Sequence, residues 1–193
     1  MGMFTVYCDD SGTDKKSRVA AVSGFISNVG QWELFNQEWT QILKAFGVDQ
    51  MHRADLESFK GEFLESRGWG PRRRTAILKK LHSIMKRRAK VAIGSSVIRK
   101  DFDEIVPPPV KKLFGGVYGW CAHECIVLAK VWAEKCQRGP MPPFQWVFEA
   151  GTTGYGQVDE MLNSLYATPE TRALWWNRGL VFSRQGDPAS SGG

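Results

Sequence analysis

No stretch of this 193-residue chain approaches the roughly 18 consecutive apolar residues that a membrane-spanning helix needs, so no membrane partner is expected. The first residues lead straight into an apolar, β-prone run, without the basic and apolar regions of a secretion signal. Cysteine is scarce, with four residues, and in the absence of a leader this favours a reduced, cytoplasmic protein over a disulfide framework. There is no P-loop and no dinucleotide-binding glycine pattern in a suitable context, which excludes the usual nucleotide cradles. Cys121-Ala-His123-Glu-Cys125 is the only run with zinc-like spacing. Its two cysteines fall on the apolar stripe of a helix while His123 points elsewhere, and no second ligand pair follows, so zinc is not expected. Acid is missing most sharply between Arg72 and Lys90. That span holds nine of the 26 Lys and Arg residues and none of the 20 acids, so the net charge of +6 is one basic element on an otherwise acidic chain.

What is present is enough for one α/β domain with a proper core, since 42% of residues are hydrophobic and 24% charged. Phe4–Asp9 alternates Phe4, Val6 and Cys8 with Thr5, Tyr7 and Asp9, which predicts a strand. Residues 11–16 read as a turn, and Arg18–Ser27 as a second strand paired with the first as a hairpin. Trp32, Phe35, Trp39, Ile42, Leu43 and Phe46 recur at helical spacing, with Asn28 as an N-cap. Residues 47–70 are less regular. Pro71 opens the basic helix, whose apolar stripe is Ile77, Leu78, Leu81, Ile84 and Met85. Val91–Ile98 is a third strand, and Pro107-Pro108-Pro109 is expected to stop any regular element. After Gly115-Gly116 a long helix carries Val117, Cys121, Cys125, Leu128 and Trp132 on one side. Phe144–Phe148 is a fourth strand, Tyr155–Tyr166 a helix, Thr168–Trp176 a short helix and Leu180–Ser183 a fifth strand. The mixture predicts a partly antiparallel sheet flanked by helices over residues 1–184, with 185–193 as a flexible tail.

Two strands run into acids followed by glycine-bearing turns: Asp9-Asp10-Ser-Gly and Glu149-Ala-Gly. If these strands are neighbours, Asp9 and Glu149 meet at one end of the sheet. Carboxylates at short range repel unless a proton or a cation intervenes. Mg²⁺ and Mn²⁺ suit such oxygen donors, and ions held by shared carboxylates can activate water for phosphodiester cleavage. The bland alternative is that these acids cap turns. The basic helix offers Arg72, Arg73, Lys79, Lys80, Lys86, Arg87 and Lys90, either as a solvated face or as a phosphate-binding surface for nucleic acid. His52 and Asp55 lie in the irregular stretch, where His52 is either an ordinary loop histidine or a group that orients substrate or water.

YCDDSG, the Gly-Phe of the second strand, QWELFNQEW, MHRADL and VFEAG, in this order over nearly the whole chain, resemble the proteins grouped as domain of unknown function 3800, regarded as RNase H-like. The resemblance implies an RNase H-like fold with a metal-binding acidic cluster, and nuclease activity dependent on Mg²⁺ or Mn²⁺. By that resemblance Asp9 holds metal and Glu149 joins it. Asp10 stands where the family usually has Glu, and His52 matches a histidine of unassigned role. Family members continue into a helix resembling Gln-Ala-Ala-Asp-Leu-Leu, whose aspartate would complete the cluster. Here the sequence reads on to Ser190-Ser-Gly-Gly193, and Asp187 before Pro188 is a poor substitute, so a lost last helix is expected. Its loss would leave apolar sheet surface for a second copy or a partner protein to cover.

Overall fold

A computed structural model describes residues 3–12, 16–136, 143–148, 153–165 and 180–184. The sheet has five strands: β1 (Phe4–Ser11), β2 (Val19–Asn28), β3 (Val91–Ile98), β4 (Phe144–Phe148) and β5 (Leu180–Arg184). Their order is β3-β2-β1-β4-β5. β2 runs antiparallel to β1 and β3, whereas β1, β4 and β5 are mutually parallel. The helices are α1 (Val29–Ala45), α2 (Arg53–Ser58), α3 (Pro71–Arg88), α4 (Arg99–Ile105), α5 (Pro108–Leu113), α6 (Val117–Cys136) and α7 (Thr153–Leu165), with 3₁₀ turns at Gly61–Phe63 and Glu65–Arg67. The expected mixed α/β sheet flanked by helices is thus present. No helix among the described residues is long and apolar enough to cross a membrane. The helix expected over Thr168–Trp176 and the tail 185–193 lie outside the described residues.

The described residues gather into two compact units, a sheet unit up to Asn28 and from Val91 onward, and a helical unit, Val29–Lys90. In the sheet unit, strand alternation sends Phe4, Val6 and Cys8 into the core with Ala20, Val22, Ile26, Ile93 and Trp146. α6 closes over them. Its buried arc runs through Cys121, Ala122, Cys125, Ile126, Ala129 and Ala133. Leu128, expected to face inward, is exposed, because the small Ala side chains let the helix lie close and turn its buried centre away from that position. Gly119 marks the crossing with α7: a Cβ there would stand 1.8 Å from the Phe114 carbonyl oxygen and 2.9 Å from that of Gln157. The triple proline does not stop structure. Pro107 precedes α5 and Pro108 opens it, where a missing N–H costs nothing.

In the helical unit, α1 and α3 share a core of Leu43, Ile77, Leu81 and Ile84. The irregular stretch wraps it with Leu56, Phe63 and Trp69, the last two meeting edge-on at 4.9 Å. α3 starts as expected at Pro71 and ends on Lys86, Arg87 and Arg88, cations that favour a helix C-terminus.

Candidate functional site

The sheet pairing fixes where the acids of β1 fall. β1 does not end at Asp9. It runs through Ser11, with Asp9 opposite Ser23 and Asp10 opposite Val22. Asp9 and Asp10 are therefore not two acids of one turn but consecutive strand residues, and their side chains leave opposite faces of the sheet. Asp9 is exposed on the outer face, in a row with Ser23 and Gly94. Asp10 is half-buried on the face of Cys8 and Val22. Asp9 Oδ1 accepts the Asp10 backbone N–H at 2.8 Å, and Oδ2 makes no hydrogen bond among the described residues.

β1 and β4 are neighbours, the condition on which the sequence argument turned. They run parallel, with Cys8 opposite Phe148. The residue following Cys8 in the sequence is Asp9 and the residue following Phe148 is Glu149. Glu149 itself, like Asp187, lies outside the described residues. Among the described residues no three His, Cys, Asp or Glu side chains gather as a metal site. Asp9 and Asp10 offer oxygen donors only, the chemistry that Mg²⁺ and Mn²⁺ prefer.

Just past the acids the chain turns at Gly12, whose φ of 74° is left-handed. A Cβ there would lie 2.0 Å from the Val19 carbonyl oxygen, so both shape and space demand glycine. The Gly12 carbonyl accepts from the Tyr118 hydroxyl and, at 2.6 Å, from Arg99 Nη2. Arg99 Nη2 also donates to the Tyr118 hydroxyl oxygen at 2.6 Å, and its guanidinium lies 5.1 Å from the centre of that ring. Sequence reasoning missed this clamp. Arg99 and Tyr118 belong to no local motif and meet Gly12 only through the register of β3 and the packing of α6.

The cysteine-rich stretch of α6 faces the core. Cys125 Sγ lies 3.4 Å from the Val22 carbonyl oxygen and Cys121 Sγ 3.9 Å from that of Ala20. Burial pushes the Cys8 thiol well up and the Cys125 thiol to about 12, so these sulfurs stay protonated and are poor ligands and nucleophiles. His123 packs its ring 4.9 Å from that of Phe114, and burial lowers its pKa.

The other expected residues belong to the helical unit. His52 Nδ1 lies 3.0 Å from Asp55 Oδ2, one turn of α2 away, and the side chain is 70% exposed. A carboxylate on Nδ1 selects the tautomer that leaves Nε2 able to accept a proton. The basic residues of α3 divide into two groups. Arg73 is consumed by the fold: Nη2 donates to the Phe46 carbonyl at 2.7 Å and the guanidinium lies 4.4 Å over Trp69. Arg87 and Arg88 both hold Glu38, with nitrogen–oxygen distances of 3.0 and 2.6 Å, and these cations lower the Glu38 pKa. Arg74 reaches Glu57 at 3.5 Å. Arg72, Lys79, Lys80 and Lys86 are exposed and form no ion pair among the described residues, and Lys90 is exposed too. No family model matches the chain, and no curated protein matches it.

Proposed function

We propose that this chain is a cytoplasmic, Mg²⁺- or Mn²⁺-dependent phosphodiester hydrolase of RNase H-like fold, acting on nucleic acid and related to the domain of unknown function 3800 proteins. Asp9 and Glu149 are its metal ligands.

The observation that carries this reading is the parallel pairing of β1 with β4 in register Cys8 to Phe148, each strand followed or continued by an acid. The exposed Asp9 carboxylate, with Oδ2 bound to no described group, suits a hydrated cation. Such an ion, when bound, activates a water and neutralises the charge that develops on a phosphodiester. In the order β3-β2-β1-β4-β5, with β2 alone reversed, β1 and β4 lie side by side, as the RNase H-like reading supposes. The free thiols at Cys8, Cys121, Cys125 and Cys136 suit a reducing compartment.

A second reading keeps the fold without the chemistry, as a module that binds nucleic acid or docks a second copy or another protein. Tyr7, Val19 and Ile98, exposed on the outer sheet face, favour it. The deciding experiment incubates the protein with DNA and RNA in Mn²⁺ or Mg²⁺. Metal-dependent cleavage that disappears in Asp9→Ala supports the hydrolase; cleavage unchanged in that variant sinks it. Binding without cleavage by the wild type transfers the assignment to the module.

A further inference from the structure

The exposed cations of α3 are ordered. Arg72, Lys79 and Lys86 are spaced by seven residues. At about 100° per residue they drift only about 20° per step, forming a row with members about 10.5 Å apart and about 21 Å long. Lys80 flanks the row, and the exposed positions between its members are Thr75, Ala76, His82 and Ser83. The four cations thus stand on a low surface that a rigid polyanion can approach closely.

The acids that pair with this helix meet its arginines outside the row. Glu38 is held by Arg87 and Arg88, and Glu57 by Arg53 and Arg74. These pairs tie α3 to α1 and α2. The unneutralised row faces outward, with no acid at any position of the helix. Solvated helices normally mix signs for i,i+4 support, and this one forgoes it.

The surroundings of the row select the polyanion. α3 contains no Phe, Tyr or Trp, and the exposed His82 is its one ring, so unstacked bases lack the run of aromatic platforms that a single-strand groove uses. Its exposed positions hold no Leu, Ile, Val or Met, so the helix has nothing to insert into a lipid headgroup layer. What remains is charge attraction to a regular phosphate array, one negative charge per about 1.7 Å of duplex axis.

We infer that Arg72, Lys79, Lys80 and Lys86 form a ledge for the phosphate backbone of a nucleic-acid duplex, bound without regard to sequence. The inference rests on the nucleic-acid reading above and names its substrate as double-stranded. Arg73 and Arg87, equally basic in the sequence, serve the fold instead.

The test is fluorescence anisotropy with a labelled DNA duplex, an RNA duplex and one strand alone, in EDTA, between about 50 and 200 mM salt. Wild type binds duplex more tightly than single strand, whichever sugar is used. Arg72→Ala/Lys79→Ala/Lys86→Ala lowers duplex affinity about tenfold or more at low salt and reduces the slope of log K against log salt by about three. Lys100→Ala/Lys112→Ala/Lys135→Ala, which removes the same charge from exposed sites in the sheet unit, stays within about twofold of wild type. Thermal melts confirm that both triple variants fold. Equal losses in the two triples, no loss in the first, tighter binding of the single strand, or anionic phospholipid vesicles that bind in place of duplex overturns the inference. Ledge-dependent duplex binding by a wild type that cleaves nothing in Mn²⁺ or Mg²⁺ therefore counts against the hydrolase alone, and Asp9-dependent cleavage without ledge-dependent binding counts against the ledge alone.

Discussion

Replacing Tyr118 by Phe removes one oxygen from the clamp behind Asp9 and Asp10, and the consequence follows from the contacts. Tyr118 is 1% exposed, so water cannot substitute for the lost hydroxyl. The hydroxyl donates to the Gly12 carbonyl and accepts from Arg99 Nη2. The first bond is between neutral groups and contributes about 1 kcal/mol; the second involves a guanidinium and contributes about 1.5–3 kcal/mol. Arg99 still reaches Gly12 directly, so the turn keeps one of its two donors. The expected cost is about 2–4 kcal/mol. At about 2–4 °C per kcal/mol this lowers the melting temperature by roughly 5–15 °C. Tryptophan fluorescence during urea unfolding follows the transition, with the fully buried Trp146 beside β1 contributing the sheet unit's part. Arg99→Met and the double variant complete a thermodynamic cycle whose coupling is about 1.5–3 kcal/mol. A Tyr118→Phe midpoint within about 0.5 kcal/mol of wild type, or strict additivity in the cycle, refutes the clamp.

Other perturbations test neighbouring parts of the account. Gly119→Ala places a methyl 1.8 Å from the Phe114 carbonyl oxygen and is expected to cost about 3 kcal/mol or more in urea unfolding, at the upper end for overpacking. A thiol reagent at pH 8 should modify Cys136 rapidly and leave Cys8, Cys121 and Cys125 untouched until the protein unfolds. The raised thiol pKa values bind protons more tightly in the native state. Stability is therefore insensitive to these groups below the unfolded value of 9.0 and falls as pH rises toward about 12, visible as a declining melting temperature. Glu38 works in the opposite sense. Its lowered pKa stabilises the helical unit above the unfolded value of 4.5, and that contribution is lost as pH falls through the native value; Glu38→Gln should flatten this acid limb.

Regular elements with a full period of apolar residues were legible in the sequence. β1, β2, β3, β4, α1, α3 and α6 announce themselves through alternation or through rows such as Ile77, Leu81 and Ile84. α4 escaped because it is one short turn-pair with Phe102 alone buried, too brief to show a period. The ends of elements were less legible than their middles. The strand was expected to end at Asp9 and the turn to begin at Ser11, yet pairing with Val22 and Ala21 carries β1 through Asp10 and Ser11. The division of the α3 cations depends on contacts distant in the sequence: Arg73 finds Phe46 27 positions away and Arg87 finds Glu38 49 positions away. No local pattern encodes such pairs. That β1 and β4 are neighbours stood in the sequence only as a condition, and the parallel register of Cys8 with Phe148 meets it.

The central claim is that Asp9 and Glu149 hold one divalent cation, and calorimetric titration with Mn²⁺ tests it most directly. The account predicts saturable binding at sub-millimolar to millimolar Mn²⁺ by the wild type, lost in Asp9→Asn and in Glu149→Gln while both variants keep the wild-type melting temperature in EDTA. Binding that is unchanged in both variants, or absent from the wild type, contradicts it.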